Sequence, residues 1–376
     1  MNEAVPRPGR VVFFVAYPHA FGGVERSLQV LAAGLQQRGW AVGVVLPGDG
    51  IAVERFRAGG LDVDVIPAPP SLRVYGKATR GRRAAAAAAA LPGYWWKLRS
   101  HLRGADVVHA FDQRGAVLAG PAARLASVPL VWHVVNVDPG RLVNPVAARV
   151  AGAVIAVSRA AAQALPSSRL AVVPNAVDQR AFDVAASPES AGFDVVCAAR
   201  LIEDKGVDVL VRATDLLRRD IPQVRVLVLG DAQEGHESYQ AEVRRLVDEL
   251  RVSDAMCFKG FVDDPFAHWA GARVYVQPSR REGFGLAVAE AMASGLPVVA
   301  SAVGGLPDVV GHGSAGVLVP PDDPQALADA VKALLDDPVE ASRLAKAGRA
   351  RVEAEYSVDA MVDGVEAVYR SLISRE

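Results

Sequence analysis

The chain has 376 residues, 51% hydrophobic and 22% charged, which excludes a disordered polymer and gives length for two α/β domains of roughly 100–200 residues each. Its net charge of -1 conceals an asymmetry: residues 1–183 hold 21 Lys+Arg against 11 Asp+Glu, and residues 184–376 hold 20 against 31. The basic half favours an anionic surface or acceptor, the acidic half argues against nucleic acid, and no apolar run approaches the roughly 18 residues of a membrane span.

Arg7 and Arg10 precede the apolar run Val11–Ala16, which is too short for a signal peptide and predicts a first core strand. It opens into a loop, Phe21-Gly22-Gly23-Val24-Glu25, followed by a helix with Leu28, Leu31, Ala32 and Leu35 on one face, ended by Gly39. A second strand covers 41–46. This βαβ opening places a glycine turn at a strand's C-terminal end, where open parallel sheets bind ligands. The Gly-Gly pair also fits a plain turn, and without a G-x-G-x-x-G after the strand a nicotinamide-dependent oxidoreductase is disfavoured. Asp62-Val63-Asp64 imitates a metal-binding pair but alternates with Val63 and Val65 as an edge strand would, so no metal site is expected there.

Residues 71–103 stand apart. They contain eight Lys or Arg, no acidic residue, seven consecutive alanines and Tyr94-Trp95-Trp96. Alanine predicts helix. The basic and aromatic side chains fit a helix lying on an anionic membrane; they fit equally a solvated helix with core-facing tryptophans. Strands then alternate with helices at 106–110, 130–135, 153–157 and 171–174, the mark of a parallel doubly wound sheet. Ala185–Gly192 reads as a linker. The pattern restarts with strands at 194–198, 225–230, 255–260, around Val274, and 298–301. Cys197 and Cys257 sit in strand-like runs as core residues of a reducing compartment, without disulfide or metal spacing. The expected domains are 1–183 and 184–357, with an amphipathic helix over 358–376; the expected location is the cytoplasm, or the inner face of the cell membrane through 71–103.

Two stretches of the second half carry chemistry. Arg200 leaves a strand's C-terminal end, and Lys205-Gly206 sits where the next helix begins. Two cations at a helix N-terminus suit a diphosphate, though the same residues also read as solvated cations beside Glu203 and Asp204. Further on, Ala272–Pro278 is a strand stopped by proline, and a loop with Glu282-Gly283-Phe284-Gly285 leads into a helix over 286–292 that is apolar except for Glu290. A lone carboxylate in such a helix is costly unless hydrogen-bonded. Glu282 and Glu290 suit the hydroxyls of a sugar and a ribose; the alternative is a surface Glu282 and a Glu290 ion-paired in the core.

Taken in order, these stretches resemble the family-four group of retaining, nucleotide-sugar-dependent glycosyltransferases with GT-B architecture. The matching motifs are Gly22-Gly23-Val24-Glu25, Val173–Asp178, Arg200–Gly206, Phe258–Val262, Glu282–Glu290, Gly304-Gly305-Leu306-Pro307 and Gly316–Asp322. The resemblance implies two Rossmann-like lobes with a cleft between them, the acceptor on residues 1–183 and the nucleotide sugar on 184–357, with the C-terminal helix crossing back to the first lobe. Closure of the lobes would then assemble Gly23, Arg200, Lys205 and Glu282 around the diphosphate.

By the same resemblance, Glu282 and the amides of Gly283, Phe284 and Gly285 hold the donor sugar, and Glu290 takes the ribose diol. Arg200 and Lys205 neutralise the diphosphate, which the backbone at Gly22-Gly23 approaches, and Phe261-Val262 frames the base. It further implies retention, a UDP-linked hexose or N-acetylhexosamine as donor, a saccharide, lipid-linked or small-molecule acceptor, and no metal or other cofactor.

One position departs from the pattern. Many relatives read His-x-His after the strand matching 106–108; here His109 holds the first position and Phe111 the second. His109, Asp112 and His133 are therefore all candidates for the acceptor side, with His109 placed in the catalytic set beside Glu282, Arg200 and Lys205. The rival functions are a sugar-nucleotide epimerase or hydrolase of the same architecture and a nucleotide-sugar-binding homologue without turnover.

Overall fold

A computed structural model describes residues 8–19, 21–73, 82–137, 144–163, 165, 169–184, 192–232, 235–269 and 271–374. The first sheet has seven strands, β1 (Arg10–Phe14), β2 (Ala41–Leu46), β3 (Asp62–Val65), β4 (Val107–Phe111), β5 (Leu130–Val134), β6 (Ala153–Ala156) and β7 (Leu170–Val172), in the order β3-β2-β1-β4-β5-β6-β7. The second has six, β8 (Val195–Ala198), β9 (Val226–Leu229), β10 (Met256–Gly260), β11 (Val274–Gln277), β12 (Val298–Ser301) and β13 (Val317–Val319), in the order β10-β9-β8-β11-β12-β13. All these strand pairs are parallel. The two sheets follow one plan. Each runs outward on one side, then reverses between β1 and β4 or between β8 and β11, the switch points at which doubly wound sheets bind ligands.

Helices cover both faces, so central strands need apolar residues at every position. Val11, Val12, Phe13 and Phe14 of β1 are accordingly all at 1% exposure or less. At the open edge the alternation expected of β3 is present: Val63 is buried while Asp62 and Asp64 are exposed, on the strand's solvent face. The motif containing Val317–Val319 turns out to be the edge strand β13, which its three residues do not announce. The basic segment forms the helices Pro70–Arg73 and Arg82–Leu102; Lys77 and Arg80 lie outside the described residues.

The chain divides at Ala176/Val177, seven residues before the boundary expected from the sequence. The reason is that residues 177–184 are already bonded into the second unit. The Val177 amide donates to the Tyr356 carbonyl (3.0 Å), and the carbonyls of Ala181 and Phe182 accept from Ser294 Oγ (2.9 Å) and Arg349 Nη1 (3.3 Å). Residues 185–191 of the expected linker lie outside the described residues.

The last helix, Val358–Ile373, belongs to the first unit. Its Met361, Val362, Val365, Tyr369 and Leu372 enter the same core as β1 and the helix Gly23–Gln37. Arg38 holds Asp359 and Glu366, each at 3.0 Å, and also Asp363; Trp40 Nε1 donates to Glu366 Oε1 at 2.6 Å.

Candidate active site

In the second lobe, the loops leaving β8 and β11 flank the switch point and are bonded to each other. The amides of Arg280 and Arg281 donate to the Asp204 carbonyl at 2.8 and 3.2 Å. The Arg280 guanidinium grips Asp208 through two parallel bonds of 2.8 and 2.7 Å, a fork that fixes both position and angle. Gly206 makes the approach sterically feasible. Its φ is 62°, and a Cβ there would stand 2.1 Å from the Pro278 carbonyl oxygen.

This clamp brings Lys205 and Glu282 together, with Nζ 2.6 Å from Oε2 and both side chains less than a fifth exposed. From the far side the loop after β12 supports the Glu282 backbone: the Gly305 amide donates to the Glu282 carbonyl at 3.1 Å, and Gly304 lies against the same peptide. Gly283, Phe284 and Gly285 follow as buried backbone leading into the helix Leu286–Ala293, where Glu290 is 6% exposed.

Arg200 is exposed on the loop after β8, next to Leu201, whose amide donates to the Asp231 carbonyl at 2.9 Å. Phe261 is 56% exposed, and Val262 is half-buried. Their loop is joined to the one after β9 by the Gly230 amide, which donates to the Gly260 carbonyl at 2.8 Å. Arg200, Lys205, Phe261, Val262 and Glu282 therefore lie on connected loops at one sheet edge, and Glu290 on the helix that follows.

In the first lobe, Gly22 and Gly23 form the N-terminus of the helix Gly23–Gln37. Gly23 is exposed, whereas the Gly22 amide is already bonded to Glu25 Oε2 at 2.8 Å. His109, placed in the catalytic set from the sequence, lies in the interior of the lobe. It is 0% exposed, with Nδ1 at 2.5 Å from Tyr369 Oη and Nε2 at 3.0 Å from His133 Nδ1. Phe111 stacks on both imidazoles, at centroid distances of 5.0 and 4.9 Å. Burial holds His109 well below the usual histidine range and His133 at about 3, so both rings are neutral near pH 7. Both histidines are buried in the first lobe and bonded to each other.

Asp112 behaves differently. It takes the left-handed backbone conformation (φ 57°) at the end of β4, accepts from the Gly115 amide at 2.8 Å, and is pushed up to about 7 by burial against those amide bonds.

Sequence comparison decides the family. The model described as Glycosyltransferase Family 4 matches residues 21–180, and that described as Glycosyl transferases group 1 matches residues 180–351. Glycogen synthase of Mycobacterium tuberculosis is 30% identical over 290 residues, 70% of this chain and 68% of that protein. The chain belongs to this glycosyltransferase family. Another member, the lipopolysaccharide core biosynthesis mannosyltransferase LpsB of Rhizobium meliloti, is 31% identical over 202 residues, 52% of this chain and 58% of that protein. The match spans about half the length of several such relatives. Among solved structures, HepE of Anabaena in complex with UDP and glucose has a TM-score of 0.82 at 25% identity, covering 96% of this chain and all of that one. The two lobes are thus those of a GT-B glycosyltransferase.

In this family member, the residues that hold the Glu282 loop in place were not singled out by the sequence. Nothing in the sequence marks Arg280, yet it organises Asp208 and, through its Nε, Asp322. Gly304 and Gly305 were recognised as a motif without a role; their backbone supports Glu282.

Proposed function

We propose that the chain transfers a hexose or N-acetylhexosamine from a nucleoside diphosphate, UDP first among them, to a hydroxyl acceptor, with retention and without a metal. The Lys205–Glu282 pair at the switch point carries this reading. Departure of the nucleotide leaves two or three negative charges to be stabilised. Lys205 spends one of its three donors on Glu282, which leaves two for phosphate oxygens, and Arg200 and the N-terminus of the helix Val207–Asp220 add charge of the same sign. A cation shared between carboxylate and phosphate couples sugar placement to leaving-group neutralisation. Arg200 and Lys205 supply the charge for which other transferases recruit a divalent ion.

Glu282 Oε1 accepts a sugar hydroxyl, the buried Glu290 takes the ribose diol, and the backbone at Phe261-Val262 meets the base. The bond from C1 to the phosphate oxygen breaks with its electron pair going to phosphate. The acceptor oxygen bonds C1 on the same face, and its proton passes to the departing phosphate. Withdrawal of His109 into the core favours a mechanism without a protein base; it equally favours the second reading, a nucleotide-sugar-binding protein without turnover.

HepE's complex with UDP and glucose supports UDP, whereas mycobacterial relatives named as GDP-mannose-dependent make GDP-mannose the next donor to try. On the acceptor side, Trp96 is 62% exposed with Arg99 at 3.9 Å over its ring, on a helix without acidic residues. This fits attachment to an anionic membrane surface; among the described residues no helix is long and apolar enough to cross one.

Calorimetry without metal against UDP, GDP, ADP and their sugar conjugates tests the donor site. Selective binding of one diphosphate is expected, and binding of none would sink the reading. Glu282→Ala should abolish transfer and leave nucleotide affinity nearly intact; wild-type turnover in that variant removes Glu282 from the sugar site.

A further inference from the structure

A line of buried polar groups runs from the core of the second lobe to Glu282. Tyr275, Gln277 and Ser279 recur on one face of β11 and its continuation, at 0%, 2% and 0% exposure. Tyr275 Oη donates to Gln277 Oε1 at 2.9 Å, Gln277 Nε2 donates to Ser279 Oγ at 2.8 Å, and Ser279 Oγ donates to Glu282 Oε2 at 3.2 Å. The Tyr275 hydroxyl also has the Ala198 carbonyl within reach, at 3.3 Å, whereas the hydrogens of Gln277 and Ser279 point toward the carboxylate. Serine has a single hydroxyl proton, and with the glutamine amide donating to its oxygen that proton is committed to Glu282.

The inner end is anchored. The Tyr275 ring meets Trp269 edge-on at 5.5 Å, and Trp269 Nε1 donates to Ser294 Oγ at 3.1 Å. Burial holds the Tyr275 phenol far above its usual range, so it remains a donor.

Packing alone does not call for these residues. Val274 and Val276 fill the same strand's other face, and aliphatic side chains at 277 and 279 would bury without desolvating an amide and a hydroxyl. The chain of donors has one partly exposed end, and that end is Glu282. Lys205 and Ser279 both bond Oε2, so rotating the carboxylate to exchange its oxygens would break both bonds.

We propose that Tyr275, Gln277 and Ser279 are positioning residues that, together with Lys205, fix Glu282 Oε2 and thereby present Oε1 to a hydroxyl of the donor sugar. The proposal rests on Glu282 being the sugar-binding carboxylate, and its test separates the two ideas. The full chain is titrated in a calorimeter with UDP and UDP-glucose, and with GDP and GDP-mannose. The ratio of the Kd for the nucleotide to that for its sugar conjugate isolates the sugar's share of binding.

Ser279→Ala should lower this ratio about tenfold, the scale of one hydrogen bond to a charged group, with Ser279→Thr restoring most of it. Gln277→Met should lie between, and Tyr275→Phe should stay within about twofold of wild type, because the effect fades along the relay. The Kd for the nucleotide alone should not move in any of them. A wild-type ratio in Ser279→Ala, with the ratio lost in Glu282→Ala, overturns the relay and keeps the sugar site. A wild-type ratio in Glu282→Ala, or no binding of either pair, removes the sugar site and the relay with it. Equal losses for nucleotide and conjugate would reveal a structural role and overturn the proposal.

Discussion

Gly304→Ala is the sharpest test of how the Glu282 loop is held. The position has φ 54°, where an L-residue costs roughly 1–2 kcal/mol. More important, a Cβ there would lie 1.8 Å from the Glu282 carbonyl oxygen and must withdraw to at least 3.0 Å, so one backbone moves by about 1.2 Å. Such a shift lengthens or breaks the 2.6 Å contact between Lys205 and Glu282. Misplacement by about 1 Å costs on the order of a hundredfold in rate. Gly295→Ala is the matched control, since its φ of 78° carries a similar backbone cost but nothing stands within 4 Å of its Cβ.

The assay is release of nucleotide from the donor found by calorimetry, with thermal unfolding run in parallel. Both variants should lose a few degrees in Tm, about 2–4 °C per kcal/mol for a unit of this size. Only Gly304→Ala should lose on the order of a hundredfold in turnover. Turnover within about threefold of wild type in Gly304→Ala would refute the claim that the Gly304–Gly305 backbone positions Glu282.

Reversing the charge of Arg200 or Lys205 should weaken UDP far more than uridine, measured by calorimetry; equal losses would make these cations structural. Asp112, pushed up to about 7, stabilises the fold below about pH 4 and loses that contribution as pH rises through 7. Asp112→Asn should therefore gain in Tm relative to wild type between pH 4 and pH 8, by a few degrees once solvent screening of a partly buried carboxylate is allowed for; a pH-independent difference would contradict this. Vesicles containing anionic lipid should co-sediment the protein at low salt while neutral vesicles should not, and removing Trp96 should weaken the effect.

The strands were legible because parallel β-sheet leaves a strong trace: Val11–Phe14 and Val298–Ser301 are apolar at nearly every position, as burial on both faces demands. Even the edge of the first sheet could be read, from the alternation of Asp62, Val63 and Asp64. The Glu282 loop stands out in the sequence because a glycine turn and a carboxylate interrupt two such runs. Contacts between distant residues left no trace. Lys205 and Glu282 are 77 positions apart, and His109 and Tyr369 are 260. The sequence shows His109 at a strand end and gives no sign of the tyrosine that meets it. Gln277 and Ser279 flank a proline that looked only like a strand stop, and polar side chains there gave no sign of facing inward.

The helix Val358–Ile373 has a consequence for the order in which the chain matures. Residues 177–357, an entire second lobe, are synthesised before it, yet its Tyr369 meets His109 and its Glu366 takes the Trp40 indole. A nascent first lobe leaving the ribosome therefore exposes the apolar groove that Met361, Val365 and Leu372 later fill, and does so while some 180 further residues are made. The second lobe has all of its own elements before that helix emerges. Although the first lobe is begun earlier, it is finished last.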